Sequence, residues 1–260
     1  MSEYPRGRFV WMDLMTSDPE AAESFYAKVA GWGTETWEGG EMPYKMFTNS
    51  GNALAGVMKL PEEARKMGAP PHWIAYVAVP DTHATVARAK DLGAQAYVEP
   101  TEIPSVGKFA VLADPQGATF AVFTSAEDPM GSDEPPKQGE FSWHELATTD
   151  YEAAFDFYAD LFGWQKADSM DMGEAGTYQM YSRGSLPLGG MYNKPAEMPA
   201  PPHWLHYISV DDVNTSVETV KELGGQVLNG PMEVPGGDLI AWCLDPQGAA
   251  FAVHSTGGGQ

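Results

Sequence analysis

The chain has 260 residues, 43% of them hydrophobic and 20% charged. It is long enough for two domains or one domain of repeats, and too apolar for a disordered chain; it has no run of about 18 apolar residues to span a bilayer. Fifteen Lys and Arg against 36 Asp and Glu leave a formal charge of -21, so neither nucleic acid nor a membrane surface is expected among its partners. The lone cysteine, Cys243, excludes an intramolecular disulfide and Cys-based zinc sites. Within Ile-Ala-Trp-Cys-Leu it reads as a buried, inert thiol. The segment Met1–Arg8 has no apolar signal core, so a soluble, cytoplasmic protein is expected.

Phe9 to Met15 alternates as a strand. Asp18 then caps a helix with Pro19 at its first position, and Ala22, Phe25, Tyr26 and Val29 share one face. Gly31 suits the left-handed position after the helix. Short strands are predicted at Glu35–Trp37, Tyr44–Thr48 and Leu54–Leu60. The same order returns. Strand Trp73–Val79 leads to the cap Asp81, and Val86, Ala89 and Leu92 line a helix that ends before Gly93. Strands follow near Gln95–Val98, Phe109–Leu112 and Thr119–Thr124. Asp114-Pro-Gln-Gly117 joins the last two as a tight hairpin, a structural role.

Ala126–Gly139 carries proline, glycine and charge without an apolar period, and reads as an exposed linker. Beyond it the chain repeats itself. FVWMDLMTSDPEAAESFYAKVAGW at 9–32 returns as FSWHELATTDYEAAFDFYADLFGW at 141–164; PHWIAYVAVPD at 71–81 returns as PHWLHYISVDD at 202–212. Asp114–Ala118 returns as Asp245–Ala249. The expected organisation is a domain at 1–128, a linker at 129–139 and a second domain at 140–260, each of two strand-helix-three-strand modules. The glycine-rich end, Thr256–Gln260, is expected to fray.

Four such modules, with Asp…Phe-Tyr helices and Asp-Pro-x-Gly hairpins, resemble the vicinal oxygen chelate superfamily. That group includes glyoxalase I, extradiol dioxygenases, bleomycin-resistance proteins and fosfomycin-resistance transferases. The likeness runs from Phe9 to His254 and is greatest to two-half members such as a mycobacterial culture-filtrate antigen and streptomycete hydroxylase-like proteins. It implies an α+β fold of four tandem βαβββ modules whose mixed, curved sheets form two cups. Metal-dependent members place His, Gln or Glu ligands on the concave faces. Carried over residue by residue, the first-strand ligand positions fall on Trp11, Ile74, Trp143 and Leu205. The last-strand positions fall on Ala121 and Ala252, and near Gly56 and Gly190. None has a side chain that binds a divalent metal. The resemblance therefore implies a lost metal site and no cofactor.

Strand alternation from those positions sets an inner face. It holds Phe9, Trp11 and Asp13; His72, Ile74 and Tyr76; Thr119, Ala121 and Phe123; and, in the second half, Phe141, Trp143 and Glu145, His203, Leu205 and Tyr207, and Ala250, Ala252 and His254. Small residues at the glycine and alanine positions leave room for a ligand. Trp11, Asp13, His72, Tyr76, Phe123 and Trp143 are the candidate ligand-binding residues. Glu145, His203, Tyr207 and His254 are the candidate catalytic ones. Asp13 and Glu145 read as bases tuned by an apolar wall, or as acceptors for tyrosine hydroxyls. His72 and His203 read as acid-base groups, or as histidines bonded to backbone. His144 and His206 fall on the opposite face, against helices or solvent. Methionines such as Met42, Met46, Met58, Met170, Met172, Met180 and Met191 offer adaptable walls.

The leading reading is a metal-free relative of glyoxalase and bleomycin-resistance proteins that binds a small apolar or aromatic molecule. The competing reading is a glyoxalase-like lyase or hydroxylase-like enzyme. The second half is expected to be the more reactive, because it alone adds His254 to a carboxylate and a histidine. Internal duplication mimics a two-subunit assembly and suits a monomer, with a homodimer left open.

Overall fold

The computed structural model describes residues 5–40, 43–127, 131 and 133–257. Met42 and the ends of the expected frayed tail, 258–260, lie outside the described residues, as do 128–130 and 132 at the expected domain boundary. Four quarters follow one another. The first is β1 (Phe9–Thr16), α1 (Pro19–Val29), β2 (Gly33–Trp37), β3 (Tyr44–Asn49) and β4 (Asn52–Lys59). A short helix that the sequence pattern did not reveal, α2 (Glu62–Lys66), leads to the second: β5 (His72–Ala78), α3 (Thr82–Asp91), β6 (Gln95–Ile103), β7 (Gly107–Ala113) and β8 (Thr119–Ser125). The third is β9 (Phe141–Thr148), α4 (Tyr151–Phe162), β10 (Gln165–Asp171), β11 (Thr177–Arg183) and β12 (Leu186–Asn193). The fourth is β13 (His203–Ser209), α5 (Val213–Glu222), β14 (Gln226–Glu233), β15 (Leu239–Leu244) and β16 (Ala250–Ser255). The fold is thus α+β with four tandem βαβββ modules.

The helices begin where the sequence places their caps. Asp18, Asp81 and Asp150 each accept the backbone amide three residues on, at 3.0–3.1 Å, and Asp212 accepts that of Asn214. Each satisfies an amide that the first helical turn leaves unpaired. Within a quarter the first and last strands run parallel and the others antiparallel: β1 pairs with β4, β5 with β8, β9 with β12 and β13 with β16. The strands belong to two eight-stranded mixed sheets, one from the first two quarters and one from the last two.

Packing divides the chain differently. One compact unit holds Met1–Trp11, Ile74–Pro135 and His144–Trp204, and so contains the second and third quarters apart from the starts of β5 and β9. The other holds Met12–Trp73, Pro136–Trp143 and Leu205–Gln260, the first and fourth apart from the starts of β1 and β13. We call them the inner-quarter and outer-quarter units.

Each unit has an aromatic core with one recurring polar thread. In the inner-quarter unit Tyr158 donates to Asp114 Oδ2 at 2.9 Å and accepts from the Trp204 indole at 3.1 Å. In the outer-quarter unit Tyr26 donates to Asp245 at 3.3 Å and accepts from Trp73 at 2.9 Å. The hairpin aspartate thus does two jobs. It closes its own turn by accepting the amides of Gln116 and Ala118, or of Gln247 and Ala249, at 2.9 Å. It also satisfies the buried hydroxyl of the helix Phe-Tyr pair, which would otherwise be costly to bury. A second thread uses Gly7. Its carbonyl accepts the Trp164 indole at 2.7 Å, its φ is +82°, and a Cβ there would run into the Phe162 carbonyl. Only glycine suits that position. Gly139 receives Trp32 in the same way, at 2.7 Å. The expected linker is exposed at every described residue from Ala126 to Gln138, but Gly139 is buried by this contact.

Candidate functional site

The first and third quarters each set a carboxylate beside a tyrosine over a glycine. In the first, parallel pairing puts Asp13 opposite Gly56, and antiparallel pairing puts Met46 opposite Gly56. Tyr44, two residues before Met46, shares its face and lays its hydroxyl on Asp13 Oδ1. In the third quarter Glu145 lies opposite Gly190, as does Met180. Tyr178 then donates to Glu145 Oε2 at 3.0 Å. Both carboxylates are 5% exposed, so the phenol hydrogen bond offsets part of the desolvation of each.

The glycine is what admits the ring. A Cβ on Gly56 would collide with the Tyr44 hydroxyl and with Asp13, and one on Gly190 with the Tyr178 ring. This corrects one expectation: the small residue at these two positions does not leave room for a ligand, because the tyrosine occupies the space. The tyrosines were missed, although Tyr44-Lys-Met46 and Tyr178-Gln-Met180 repeat in the two halves. The third quarter adds Tyr192, whose ring stacks on Tyr178 with centroids 6.0 Å apart. Burial, and then the Glu145 charge, push the Tyr192 hydroxyl pKa well up.

The second quarter contributes Tyr76 and Phe109, with ring centroids 6.2 Å apart, and Phe123 opposite Phe109 in the ladder. Tyr76 sits opposite Ala121. In the fourth quarter Leu205, Tyr207 and Ala252 form a small cluster, with Trp143, Ile240 and Trp242 packed on it. Tyr207 lies opposite Ala252 and accepts the Trp242 indole at 2.7 Å. Trp242 also went unnoticed in the sequence. His254 is held at both ring nitrogens, Nδ1 by Ser142 Oγ at 3.0 Å and Nε2 by Asp238 Oδ2 at 3.1 Å. Burial alone would raise the Asp238 carboxyl; hydrogen bonds from His254 and the Gly257 amide outweigh it and hold the pKa low.

His72 and His203 make one and the same contact. Each Nδ1 donates to the carbonyl two residues before it, Pro70 at 2.7 Å and Pro201 at 2.8 Å. Burial pushes the His72 pKa down against this hydrogen bond. The structure does not gather the four catalytic candidates in one compact unit. Glu145 and His203 belong to the inner-quarter unit, Tyr207 and His254 to the outer-quarter unit. Trp11 is half-buried and falls in the inner-quarter unit.

Two other placements depart from strict alternation. Phe9 and Phe141, expected beside Trp11 and Trp143, turn into the core instead. Phe9 stacks on His144 at 3.7 Å and lies 5.5 Å from Trp164; Phe141 lies 5.6 Å from Trp32 and 5.5 Å from Trp73. His144 and His206 are consequently buried, at 6% and 1% exposure, against these phenylalanines rather than in solvent.

The chain belongs to the glyoxalase/bleomycin resistance protein/dioxygenase superfamily. That family's model matches residues 140–253, and a glyoxalase-like domain model matches 10–123. CFP32 of Mycobacterium tuberculosis, which carries a glyoxylase name, is 33% identical over 255 residues, 97% of this chain and 96% of that protein. The anthracycline biosynthesis protein DnrV of Streptomyces peucetius is 31% identical over 264 residues, 97% and 94% of the two chains. Among solved structures the fold matches the Mn(II)-bound glyoxalase of Novosphingobium aromaticivorans, with TM-score 0.62, 16% identity and coverage of 99% and 84%. It also matches 2,2',3-trihydroxybiphenyl 1,2-dioxygenase of Sphingomonas wittichii, with TM-score 0.65, 13% identity and coverage of 98% and 91%.

The Mn(II) in the matching glyoxalase structure raises the question of whether these residues suit a metal. Their donor chemistry does not. Trp, Ile, Leu, Gly and Ala stand at the ligand positions that the resemblance implies, and the two nearby carboxylates are engaged by tyrosine hydroxyls. Among the described residues no three His, Cys, Asp or Glu side chains come together to hold an ion.

Proposed function

We propose that the chain is a metal-independent member of its superfamily that binds a small, largely apolar or aromatic organic molecule on the inner faces of its sheets. The observation that carries this reading is the carboxylate–tyrosine pair standing over Gly56 and Gly190, near the ligand positions that the resemblance implies for metal-dependent members. Each unit also carries flat rings: Trp11, Tyr76, Phe109 and Tyr192 in the inner-quarter unit, Trp143 and Trp242 in the outer-quarter unit. An apolar surface with a few fixed polar groups is the usual form of a small-molecule site. The kinship with an anthracycline biosynthesis protein favours a planar, oxygenated polycyclic ligand, whose faces match the rings and whose hydroxyl or keto groups match a phenol or carboxylate. A net charge of -21 disfavours nucleic acid or an anionic membrane as the partner.

The test is native mass spectrometry and elemental analysis of untagged protein, followed by thermal melts with a panel of hydroxylated anthraquinones. The expected result is saturable stabilisation by at least one planar compound and no stoichiometric metal. Near-stoichiometric manganese, iron, nickel or zinc retained after mild chelation would overturn the metal-independent part. A flat response to the whole panel would overturn the ligand class.

A second reading is favoured by the Tyr178–Glu145 contact. A phenol held on a buried carboxylate is a ready proton donor-acceptor pair, and turnover by a glyoxalase-like or hydroxylase-like route would then depend on Glu145. Under that reading Glu145→Gln abolishes turnover while leaving ligand-induced stabilisation in place.

A further inference from the structure

The two units diverge at the end of the helix that carries the Phe-Tyr pair. In the inner-quarter unit that end is closed by arginines. Arg6 donates through Nε to the Leu161 carbonyl at 3.0 Å and through Nη2 to the Asp160 carbonyl at 2.6 Å. Arg88, from the facing helix α3, grips the Asp160 carboxylate with two hydrogen bonds of 2.7–2.8 Å. The repeat assigns each of these a counterpart in the outer-quarter unit. Gln138 stands for Arg6, Thr219 for Arg88, Lys28 for Asp160, Val29 for Leu161 and Asp211 for Pro80.

Two long guanidinium side chains are thereby replaced by shorter ones, and a cleft of about 230 Å³ lies at that place. Its walls include Lys28 to Gly31 at the end of α1, Gln138, and Ser209 to Asp212 before α5 with Thr215 and Thr219 along it. The end of a helix presents carbonyl groups that carry partial negative charge. Asp211 adds a carboxylate that the other unit lacks at this position, and the Asp212 carboxylate, although it caps α5 through Asn214 and Thr215, adds a second. Among the described residues Lys28 is the one basic residue of the lining.

We propose that this cleft is a binding site for a guanidinium or alkylammonium group, which takes the place that Arg6 holds in the other unit. The inner-quarter unit shows that the same backbone frame seats a guanidinium on the last carbonyls of its helix. The outer-quarter unit keeps the frame, removes the resident arginine and adds Asp211. The group recognised is a flat or compact organic cation, either a free small molecule or an arginine side chain presented by a peptide. The site is separate from the tyrosine–carboxylate pairs and does not depend on the function proposed for them.

The experiment is a backbone-amide NMR titration of the full chain with methylguanidinium, and with its neutral isostere methylurea as control. A parallel arm uses Gly-Arg-Gly against Gly-citrulline-Gly. Support is a saturable shift at Val29, Ala30, Gly31, Asp211 and Thr215 with a cationic probe and none with its neutral match. Whichever cationic probe binds more tightly names the source. Two variants sharpen the result. Gln138→Arg refills the cleft from within and is expected to abolish the shifts. Asp211→Asn, a change of one exposed group, is expected to weaken binding about tenfold, the worth of one charge-assisted hydrogen bond. The proposal is overturned if neither cationic probe shifts the cleft amides, if the neutral isosteres act equally, or if binding persists undiminished in Gln138→Arg.

Discussion

The inner-quarter and outer-quarter units are built on one plan and fastened differently. Both bury a Tyr–Asp–Trp thread and both hang a tryptophan on a glycine carbonyl. Beyond that shared core the fastenings separate. Gln116 in the inner-quarter unit accepts from the hydroxyls of Thr148 and Thr149 and the amides of Thr149 and Asp150, and donates to the Asp150 carbonyl. Its repeat, Gln247, has a buried Oε1 with no hydrogen-bond partner among the described residues. Asp133 ties Arg8 and Arg183 together in the inner-quarter unit, which also carries the Arg88–Asp160 pair. The lesson is that duplication has preserved what the core cannot spare and released the rim. Where the rim was released, the outer-quarter unit has an open cleft.

Substitutions in the shared core should have the largest effects and should be equal in the two units. Trp164 stacks on Tyr181 at 4.5 Å and donates to Gly7; Trp32 stacks on Tyr26 at 5.6 Å and donates to Gly139. Trp164→Ala and Trp32→Ala should each cost about 3–5 kcal/mol in urea unfolding, through lost burial and the cavity left behind. A clear inequality between them would break the claim that the two cores are equivalent. The next effect concerns the tyrosine–carboxylate pairs. Gly56→Ala and Gly190→Ala each place a methyl where a tyrosine lies, so about 1–3 kcal/mol of overpacking is expected. Ligand-induced stabilisation should fall with each. Full retention of both stability and ligand response would show that the ring can move aside, and that its position over the glycine is incidental.

Much of this plan was legible in the residues. The repeat, the four helix caps and the hairpin turns are local signals, and local signals survive without knowledge of the fold. The positions of Trp143, Tyr207 and Ala252 on one face also followed from alternation. What could not be read depends on relations between strands. Tyr44 meets Asp13 only because β3 and β1 flank β4 in a particular register around Gly56. Phe9 and Phe141 leave the expected face because the core offers each a set of rings and a histidine to pack against, and tertiary packing overrode the period. The grouping of outer with outer and inner with inner quarters is a property of packed faces, and no segment of sequence states it.

A smaller effect is expected from pH, and it should again be shared by the two units. Burial raises the pKa of Asp114 and Asp245, and the amide and tyrosine hydrogen bonds that oppose it do not win. A carboxyl whose folded pKa lies above its unfolded value binds its proton more tightly in the folded chain. Its contribution is fully present below the unfolded value, about 3.9, and is lost as pH rises through the folded value. Stability from these two groups should therefore decline with rising pH in the window that opens just above about pH 4. Asp133, Asp160, Asp212 and Asp238 are shifted the other way, so the informative quantity is a difference. Urea melts of Asp114→Asn and of the parent chain, run from about pH 4 to 7, should diverge in slope, with the variant losing less on the way up. Parallel curves would remove Asp114 from the account, and a divergence for Asp114→Asn without one for Asp245→Asn would separate the two units.

The smallest expected change is the most pointed test of the comparison. Arg6 is exposed, and its two hydrogen bonds reach carbonyls at the end of α4. A cation at a helix end, in water, contributes about 0.5–1 kcal/mol. Arg6→Gln should lower the stability of the inner-quarter unit by about that amount, and Gln138→Arg should raise that of the outer-quarter unit by a similar step. The sign must be opposite because the two changes exchange one residue between equivalent places. Added salt should shrink both effects, since exposed charges are screened. Arg6→Gln is also expected to expose the ends of α4 to methylguanidinium, giving new amide shifts at Leu161 and Phe162, but weaker ones than at α1. The reason is that Pro80 stands where Asp211 does, so the carboxylate that completes the cationic site is missing from the inner-quarter unit. If Arg6→Gln creates a site as strong as the outer-quarter one, then the helix-end carbonyls suffice and Asp211 is not what distinguishes the two. If it creates none, then shortening the arginine does not open the cleft, and the facing pair of Arg88 and Asp160 keeps that end closed without Arg6.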